Sequence, residues 1–225
     1  VSMTTNTTLE QRTLTGLDRF ISGVDDRLRQ LAGQPSHGSS SSRPSPALAH
    51  QEPPLSARER DHAGSLMRVN HTGEVCAQAL YQGQALAARS DATRHSLLAA
   101  AQEEADHLAW CETRLQELDA KPSRLNPLFY AASFALGAIT AVAGDKVSLG
   151  FVHATEERVA GHLRAHLKAL PREDRKSQLI LQQMLADEER HGEEALALGG
   201  QEFSRPIKNV MTLASQVMTR TTYWI

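Results

Sequence analysis

Cysteine is scarce in this 225-residue sequence, and basic charge is not in excess. The two cysteines, Cys76 and Cys111, form no Cys-x-x-Cys pair, so we expect neither a disulfide framework nor a thiolate metal site, and a reducing cytosol suits them. Lysine and arginine number 24 against 26 acidic residues, so the chain lacks the positive field that a nucleic-acid binder needs. Nucleic acid is therefore excluded as an expected partner.

We expect no secretory leader, and the sequence also lacks a glycine-rich dinucleotide loop and a convincing stretch of alternating polarity. The first residues contain no basic region followed by an apolar core, which argues against export. The absence of period-two patterning predicts an all-α fold. The most apolar run, Leu128 to Gly144, has 17 residues and falls short of the roughly 20 that a membrane span needs. This run predicts either a helix at a membrane surface or an unusually apolar core helix.

Composition divides the chain into three regions. Residues 1–32 are predicted to form an amphipathic helical extension, because apolar residues recur every three or four positions from Leu9 to Leu31. Residues 33–54 are rich in serine, proline and glycine, which predicts a flexible linker. Residues 55–225 are long enough to form one helical domain with its own core.

Helix-start and helix-stop signals subdivide that domain. Ser56 and Glu59 form a capping box at the start of the first helix. Proline and glycine separate the predicted segments, which run from Ser56 to about Arg89, Asp91 to about Leu118, Pro127 to Leu170, Arg172 to Leu198, and Pro206 onward. The segment from Pro127 is either one long helix or a broken pair.

Two Glu-x-x-His motifs, each following a glutamate at a similar distance, carry the clearest chemical signal. Residues three apart share one helix face, so the carboxylate and imidazole of each motif can reach the same metal ion. One glutamate precedes the first motif by 30 residues and another precedes the second by 32, which lets a helix turn and return antiparallel. The predicted metal ligands are Glu74, Glu104, His107, Glu156, Glu188 and His191. Ferritin-like di-iron bundles use this set of ligands, and carboxylates with imidazole suit iron.

Chance and surface charge are the alternatives to a metal site. Random placement of 16 glutamates and 10 histidines gives about 0.7 Glu-x-x-His motifs, and three are present. We assign the third, Glu59 to His62, to helix capping. Each remaining motif taken singly is typical of a solvated charged helix face. That alternative does not explain the repeated order and spacing.

Several neighbouring residues are weaker candidates. His71 and His162 are expected either to serve as outer donors or to be ordinary packed or solvated histidines. Glu103 and Asp187 each precede a ligand histidine by four residues; they are candidate hydrogen-bond partners for metal-bound imidazole, although a surface role is favoured. Cys76 is expected to be a packed thiol.

Several segments resemble the metal motifs of the Coq7-type demethoxyubiquinone hydroxylases. The segments that carry the resemblance are residues 68–74, 79–84, 103–108, 154–157 and 187–191. The likeness covers about residues 60–225 and excludes the first 50. It implies an all-α, ferritin-like four-helix di-iron bundle with one or two additional apolar or amphipathic helices.

The resemblance also implies an activity, which is hydroxylation of the ring of a polyprenyl methoxy-methyl-benzoquinol with O2 in ubiquinone biosynthesis. The implied cofactors are two iron ions, and an external electron donor that the sequence does not identify. The lipid substrate and the C-terminal segment ending in Tyr223 and Trp224 lead us to expect peripheral contact with the cytoplasmic face of the cell membrane. Ubiquinone-biosynthesis proteins or further copies of the chain are the other partners considered.

Two other functions stay open at this point. A ferritin-like iron-oxidising or peroxide-scavenging protein would use the same six ligands. A non-catalytic helical scaffold or membrane-surface module would leave the glutamates and histidines facing solvent. Iron content separates the scaffold from the other two.

Overall fold

The structure is a computed structural model that describes residues 42–225. Within these residues it contains helices and turns but no strand, which confirms the all-α class. The helices are α1 (Ala57–Ala87), α2 (Asp91–Glu117), α3 (Asn126–Val142), α4 (Asp145–Ala169), α5 (Arg175–Ala197) and α6 (Arg205–Thr222). The predicted extension of residues 1–32 lies outside the described residues.

Four helices form a bundle from two hairpins. Helix α1 packs along α2, α4 packs along α5, and contacts between α2 and α5 join the two pairs. The core has two apolar clusters, one that includes Met67, Trp110, Leu163 and Leu181 and another that includes Leu80, Leu97, Leu149 and Ala195. On each of the four helices the predicted metal ligands fall between members of these clusters. The candidate site therefore lies between two apolar layers.

The helix boundaries follow the predictions apart from the start of α5, and the structure decides between the two alternatives for the segment after Pro127. The segment after Pro127 is a broken pair, because Gly144 adopts a φ of 115° between α3 and α4. Helix α2 is capped by Ser90, whose Oγ accepts from Thr93 N at 3.0 Å, and Asp91 is its first residue. Helix α5 starts at Arg175 rather than Arg172, because Asp174 caps it.

Residues 42–54, the described part of the predicted linker, contact the bundle at several points. Ala47 is buried in one apolar cluster. The Glu52 carboxylate lies 2.6 Å from Arg114 Nη2 and accepts from Lys176 N at 3.1 Å. These contacts attach part of residues 42–54 to the bundle, which composition does not predict because it measures how much apolar surface a segment can bury and misses ion pairs between distant residues. The flexible-linker assignment of residues 33–54 stays a prediction.

Helix α3 crosses α1 at unusually close range. A Cβ added to Gly83 would lie 2.2 Å from Phe134 O, and one added to Gly137 would lie 2.2 Å from Leu80 O. The two glycines thus let the helix backbones touch. Gln84 on α1 donates to Thr140 Oγ1 at 3.3 Å across this contact.

Helices α3 and α6 direct polar groups toward the bundle and apolar groups outward. From α6, Thr212 and Ser215 contact Arg158 and His162 of α4. The exposed apolar residues of the two helices are Leu128, Leu136, Ile139, Val142, Ile207, Val210, Leu213 and Val217. The alternative of a completely buried core helix is therefore wrong for α3. None of the helices in residues 42–225 is long and apolar enough to cross a membrane.

Candidate metal centre

The six predicted ligands come together in the middle of the bundle. Glu74 extends from α1, Glu156 from α4, and the two Glu-x-x-His motifs from α2 and α5. All six side chains are buried, and none is more than 4% exposed. A solvated charged helix face, the alternative for each motif taken singly, is thereby excluded.

The ligand atoms form two overlapping groups. Glu74 and His107 join Glu104 and Glu188 in one group, and Glu156 and His191 join the same two glutamates in the other; within each group the ligand atoms lie within 4.8 Å of one another. Glu104 and Glu188 therefore contribute to both groups. Shared carboxylates between two positions can bridge two ions, and each position has one further glutamate and one histidine.

Both histidines direct the same ring nitrogen inward. Nδ1 of His107 lies 3.1 Å from Glu104, 3.4 Å from Glu74 and 3.3 Å from Glu188. Nδ1 of His191 lies 3.4 Å from Glu104 and 3.9 Å from Glu188. An ion among the carboxylates would therefore be bound by Nδ1, which leaves Nε2 of each ring facing outward.

The four buried carboxylates lie close enough together that the negative charge of one disfavours ionisation of the others. Burial and the charge of Glu104 raise the pKa of Glu74 well above its usual value, and burial and Glu188 do the same for Glu156. Burial lowers the pKa of His191, but the nearby carboxylates of Glu104 and Glu188 outweigh it and raise that pKa to about 10. The site attracts protons strongly because its negative charges are concentrated away from water. Divalent cations would relieve the same repulsion.

Buried polar atoms that lack a hydrogen-bond partner test whether these residues fit metal ions, because an ion can take the place of the missing partner. Most buried side-chain nitrogen and oxygen atoms without a hydrogen bond, among the residues described, belong to the predicted ligands. They are Glu74 Oε2, Glu104 Oε1, both carboxylate oxygens of Glu156 and Glu188, and both ring nitrogens of His191. Such groups are costly unless they have partners. Oxygen-rich donors with imidazole suit iron or manganese, so the two groups can hold metal ions.

The outer nitrogens of the two histidines face carboxylates from the opposite helix. His107 Nε2 lies 3.0 Å from Asp187 Oδ2, and His191 Nε2 lies 3.5 Å from Glu103 Oε2. Both carboxylates were candidates for this contact, but each meets the histidine of the other motif rather than the one in its own helix. The favoured surface role is wrong for Asp187, which is 5% exposed. A carboxylate at Nε2 orients the ring and makes Nδ1 a stronger ligand.

Three charged residues beside these carboxylates were missed by the sequence argument. Arg43 lies 3.0 Å from Asp187 and 3.1 Å from Asp106, and Arg190 pairs with Glu103. Asp106 is almost fully buried and lies inside the first Glu-x-x-His motif, which was an available signal. Arg43 had no signal, because it lies in a segment whose composition resembles a linker.

The remaining candidates lie outside the two groups. Glu59 forms the predicted capping box with Ser56, which confirms its helix-capping role. His71 contacts Asn126 Nδ2 at 3.2 Å, and burial lowers its pKa to about 4. His162 Nε2 lies 2.9 Å from Ser215 Oγ. Cys76 is a free thiol, as expected, and burial raises its pKa to about 11.

Comparison with known proteins agrees with this geometry. The family model described as "Ubiquinone biosynthesis protein COQ7" matches residues 61–222. A protein of Ectopseudomonas mendocina named 3-demethoxyubiquinol 3-hydroxylase is 53% identical over 96% of this chain and 99% of its own length. Proteins of the same name from Azotobacter vinelandii and Pseudomonas paraeruginosa are 52% and 51% identical; the alignments cover 96% and 93% of this chain and 99% and 96% of theirs. The likeness thus also covers much of the first 50 residues, which the motif resemblance left out. The chain belongs to the COQ7 family of ubiquinone biosynthesis proteins.

Proposed function

We propose that this protein is a di-iron 3-demethoxyubiquinol 3-hydroxylase, which hydroxylates the ring of a polyprenyl methoxy-methyl-benzoquinol with O2. The observation that carries the proposal is the pair of overlapping ligand groups at the centre of the bundle. Membership of the COQ7 family and the names of relatives more than 50% identical support the same activity. These names favour the hydroxylase over an iron-storage protein with the same ligands.

In this proposal Glu74, Glu104, His107 and Glu188 would hold one iron ion, and Glu104, Glu156, Glu188 and His191 would hold the other. The chemistry that two iron ions supply is the reductive activation of O2, of which one oxygen atom enters the ring and the other leaves as water. An external donor provides the two electrons that this balance requires. The six side chains hold the ions, and the apolar layers on either side keep bulk water away from the reaction.

The charge of the ligand set supports divalent iron. Four glutamates carry four negative charges, which two Fe²⁺ ions balance, and the two histidines can then bind as neutral rings. Burial, and then repulsion from Glu104 and Glu188, raise the pKa values of Glu74 and Glu156, and the positive charge of such ions would offset both effects. Binding of the two ions therefore stabilises an arrangement that the protein alone holds at a cost.

Iron content and quinol turnover test the proposal. The wild-type protein should bind about two irons per chain and hydroxylate a demethoxyubiquinol analogue when a chemical reductant is supplied. Glu156→Gln should lose both properties while keeping its helical spectrum. Glu157→Gln is the matched control, because Glu157 is exposed on the same helix and pairs with Lys208. A wild-type protein that binds no iron, or a Glu156→Gln variant that retains full turnover, would refute the proposal.

We further propose that the protein contacts the cytoplasmic face of the cell membrane through the apolar surfaces of α3 and α6. Val210 and Leu213 of α6 are 70% and 64% exposed, and Ile139 of α3 is 66% exposed. A monomeric soluble protein rarely exposes so many large apolar side chains on two helices, and a polyprenyl substrate resides in the bilayer.

Vesicle sedimentation distinguishes membrane contact from the alternative that a second copy of the chain covers these surfaces. Leu213→Asp should lower the fraction recovered with phospholipid vesicles several-fold. Gln116→Asp, which introduces the same charge at an exposed position of α2 rather than of α3 or α6, is the control. The surface is instead an interface between copies if two results are obtained together. The wild-type protein stays in the supernatant when vesicles are sedimented, and analytical ultracentrifugation without vesicles shows a dimer that Leu213→Asp dissociates.

A further inference from the structure

The segment before α1 docks on the outer side of the candidate metal centre. The buried carboxylate of Asp106 accepts from Ser42 N at 2.6 Å, Ser42 Oγ at 2.8 Å and Arg43 Nε at 3.1 Å. Trp110 Nε1 donates to Arg43 O at 3.1 Å, and the Arg43 guanidinium lies 4.9 Å from the centre of the Trp110 ring. These contacts hold both the backbone and the side chain of Arg43.

The held guanidinium contacts the carboxylate that orients His107. Arg43 Nη1 lies 3.0 Å from Asp187 Oδ2, and the same oxygen lies 3.0 Å from His107 Nε2. Arg43 Nη2 is also 3.3 Å from His107 Nε2. If His107 Nδ1 binds a metal ion, His107 Nε2 carries a proton and is a hydrogen-bond donor. Since Arg43 Nη2 is also a donor, the 3.3 Å distance between these two nitrogens is a packing contact rather than a hydrogen bond. Asp187 therefore accepts from both residues and stands between them.

Charge makes Arg43 more than a packing residue. Four glutamates balance two divalent ions, whereas Asp187 and Glu103 add further negative charge just outside them. Arg190 offsets Glu103 and also lies 3.5 Å from Asp187. Glu103, the carboxylate that faces His191 Nε2, is therefore paired with Arg190 of α5. Asp187, the outer carboxylate of His107, has a nearer arginine in Arg43, which comes from outside the bundle helices and lies 3.0 Å from it. Arg43 lies farther from Glu103, at 3.9 Å.

We propose that Arg43 is a positioning residue of the metal centre. It holds Asp187 against His107 Nε2, which keeps His107 Nδ1 directed at one of the two ions. The segment before the bundle thus sets the affinity of one metal position and leaves the other nearly unchanged. This inference rests on the proposed di-iron function, and its test distinguishes the two.

Competition between the metal-free protein and a chelator for Fe²⁺ under anaerobic conditions gives two successive binding constants. We expect Arg43→Gln to weaken one of them about 10-fold, the lower end of the loss typical when an outer partner of a ligand is removed. Arg164→Gln is the matched control, because Arg164 forms an exposed ion pair with Glu189 and contacts neither Asp187 nor His107. It should leave both constants unchanged.

A double-mutant cycle separates positioning from general stability. In an Asp187→Ala background Arg43→Gln should change the same constant less than about 2-fold, because the carboxylate through which it acts is gone. Arg43→Lys, which keeps the charge but cannot contact Asp106 and Asp187 together, serves if Arg43→Gln fails to fold, and it should weaken the same constant.

The possible outcomes are distinct. Unchanged constants, equal weakening of both, or a full Arg43 effect in the Asp187→Ala background would overturn the role of Arg43. A wild-type protein that binds fewer than two Fe²⁺ ions would instead overturn the proposed function.

Discussion

Asp187 on α5 lies 3.0 Å from the outer nitrogen of His107 on α2, although the nearest histidine along its own helix is His191. Glu103 on α2 makes the converse contact with His191 on α5. The two helices that carry the Glu-x-x-His motifs thus exchange outer carboxylates. Orientation of each histidine depends on the helix opposite, so the two halves of the centre are coupled.

This exchange predicts that Asp187 acts on the metal position of His107. Asp187→Ala should weaken one of the two Fe²⁺ binding constants by about 10- to 100-fold, because the His107 ring loses the acceptor that orients it. The loss should largely disappear in a His107→Ala background and persist in a His191→Ala background. Anaerobic chelator competition measures all of these constants.

Glu189→Gln is the control for Asp187, because Glu189 is an acidic neighbour on the same helix that faces Arg164 at the surface. It should leave both constants within about 2-fold of the wild type. An Asp187→Ala loss that disappears in the His191→Ala background instead would show that the carboxylate serves its own motif, contrary to the observed geometry.

We expect Glu156 to destabilise the metal-free protein, whereas it contributes to the stability that the protein gains from bound Fe²⁺. Burial and Glu188 raise the pKa of Glu156 above 4.5, so the folded metal-free protein keeps a proton that the unfolded chain releases. Its stability therefore falls as pH rises above 4.5. With a chelator present, Glu156→Gln should raise the thermal midpoint, by more at pH 8 than at pH 5, for a gain on the order of 1 kcal/mol. With Fe²⁺ present the variant should gain less from the metal than the wild type does.

The comparison for this variant is Glu157→Gln, which lies on the same helix but pairs with Lys208 at the surface. Differential scanning calorimetry with and without chelator measures both proteins. If Glu156→Gln lowers the midpoint of the metal-free protein, the carboxylate stabilises the fold by itself and the site is not arranged around a cation.

The sequence predicted the six clustered residues because their chemistry repeats at a regular spacing. It could not show that Glu104 and Glu188 are the shared pair, since all four glutamates look alike along the chain. Asp187 and Glu103 were found by their distance from a histidine on the same helix. The actual contacts cross between helices, which helical spacing does not encode.

The outer parts of the fold were harder to predict for a related reason. The segment at Arg43 contains few apolar residues, and its contacts with the bundle are made to side chains remote in sequence, such as Asp106 and Trp110. The apolar run from Leu128 to Gly144 was ambiguous because its polar residues, such as Thr140, turn inward to partners on α1. Composition measures how much a segment can bury, and it does not identify the partner that the segment meets.

His166 predicts a loss of stability in mild acid. Its Nδ1 lies 2.7 Å from Asn70 Oδ1, and burial, followed by the charges of His162 and His62, lowers its pKa to about 4. The unfolded chain takes up the proton first as the pH falls, so the stabilisation is complete above pH 6.5 and is lost between pH 6.5 and about 4.

Chemical denaturation at pH 7 and pH 5 measures this loss. The fall in unfolding free energy should be smaller in His166→Gln than in the wild type by about 1 kcal/mol, a value reduced for the partial exposure of the ring. His95→Gln, at an exposed position of α2, should behave as the wild type does. An identical fall in all three proteins would exclude His166 as the source.

The contact between α1 and α3 predicts a steric requirement at Gly83. A methyl group there would lie 2.2 Å from Phe134 O and 3.0 Å from Ala138 N, and these backbone atoms cannot move without displacing α3. Gly83→Ala should therefore lower the free energy of unfolding by about 2 kcal/mol or more, despite the better helix propensity of alanine. Gly161→Ala, whose added Cβ has no neighbour within 4 Å, should raise it by up to about 1 kcal/mol. Denaturant titration compares the two, and equal gains in both would mean that α3 does not lie against α1 in solution.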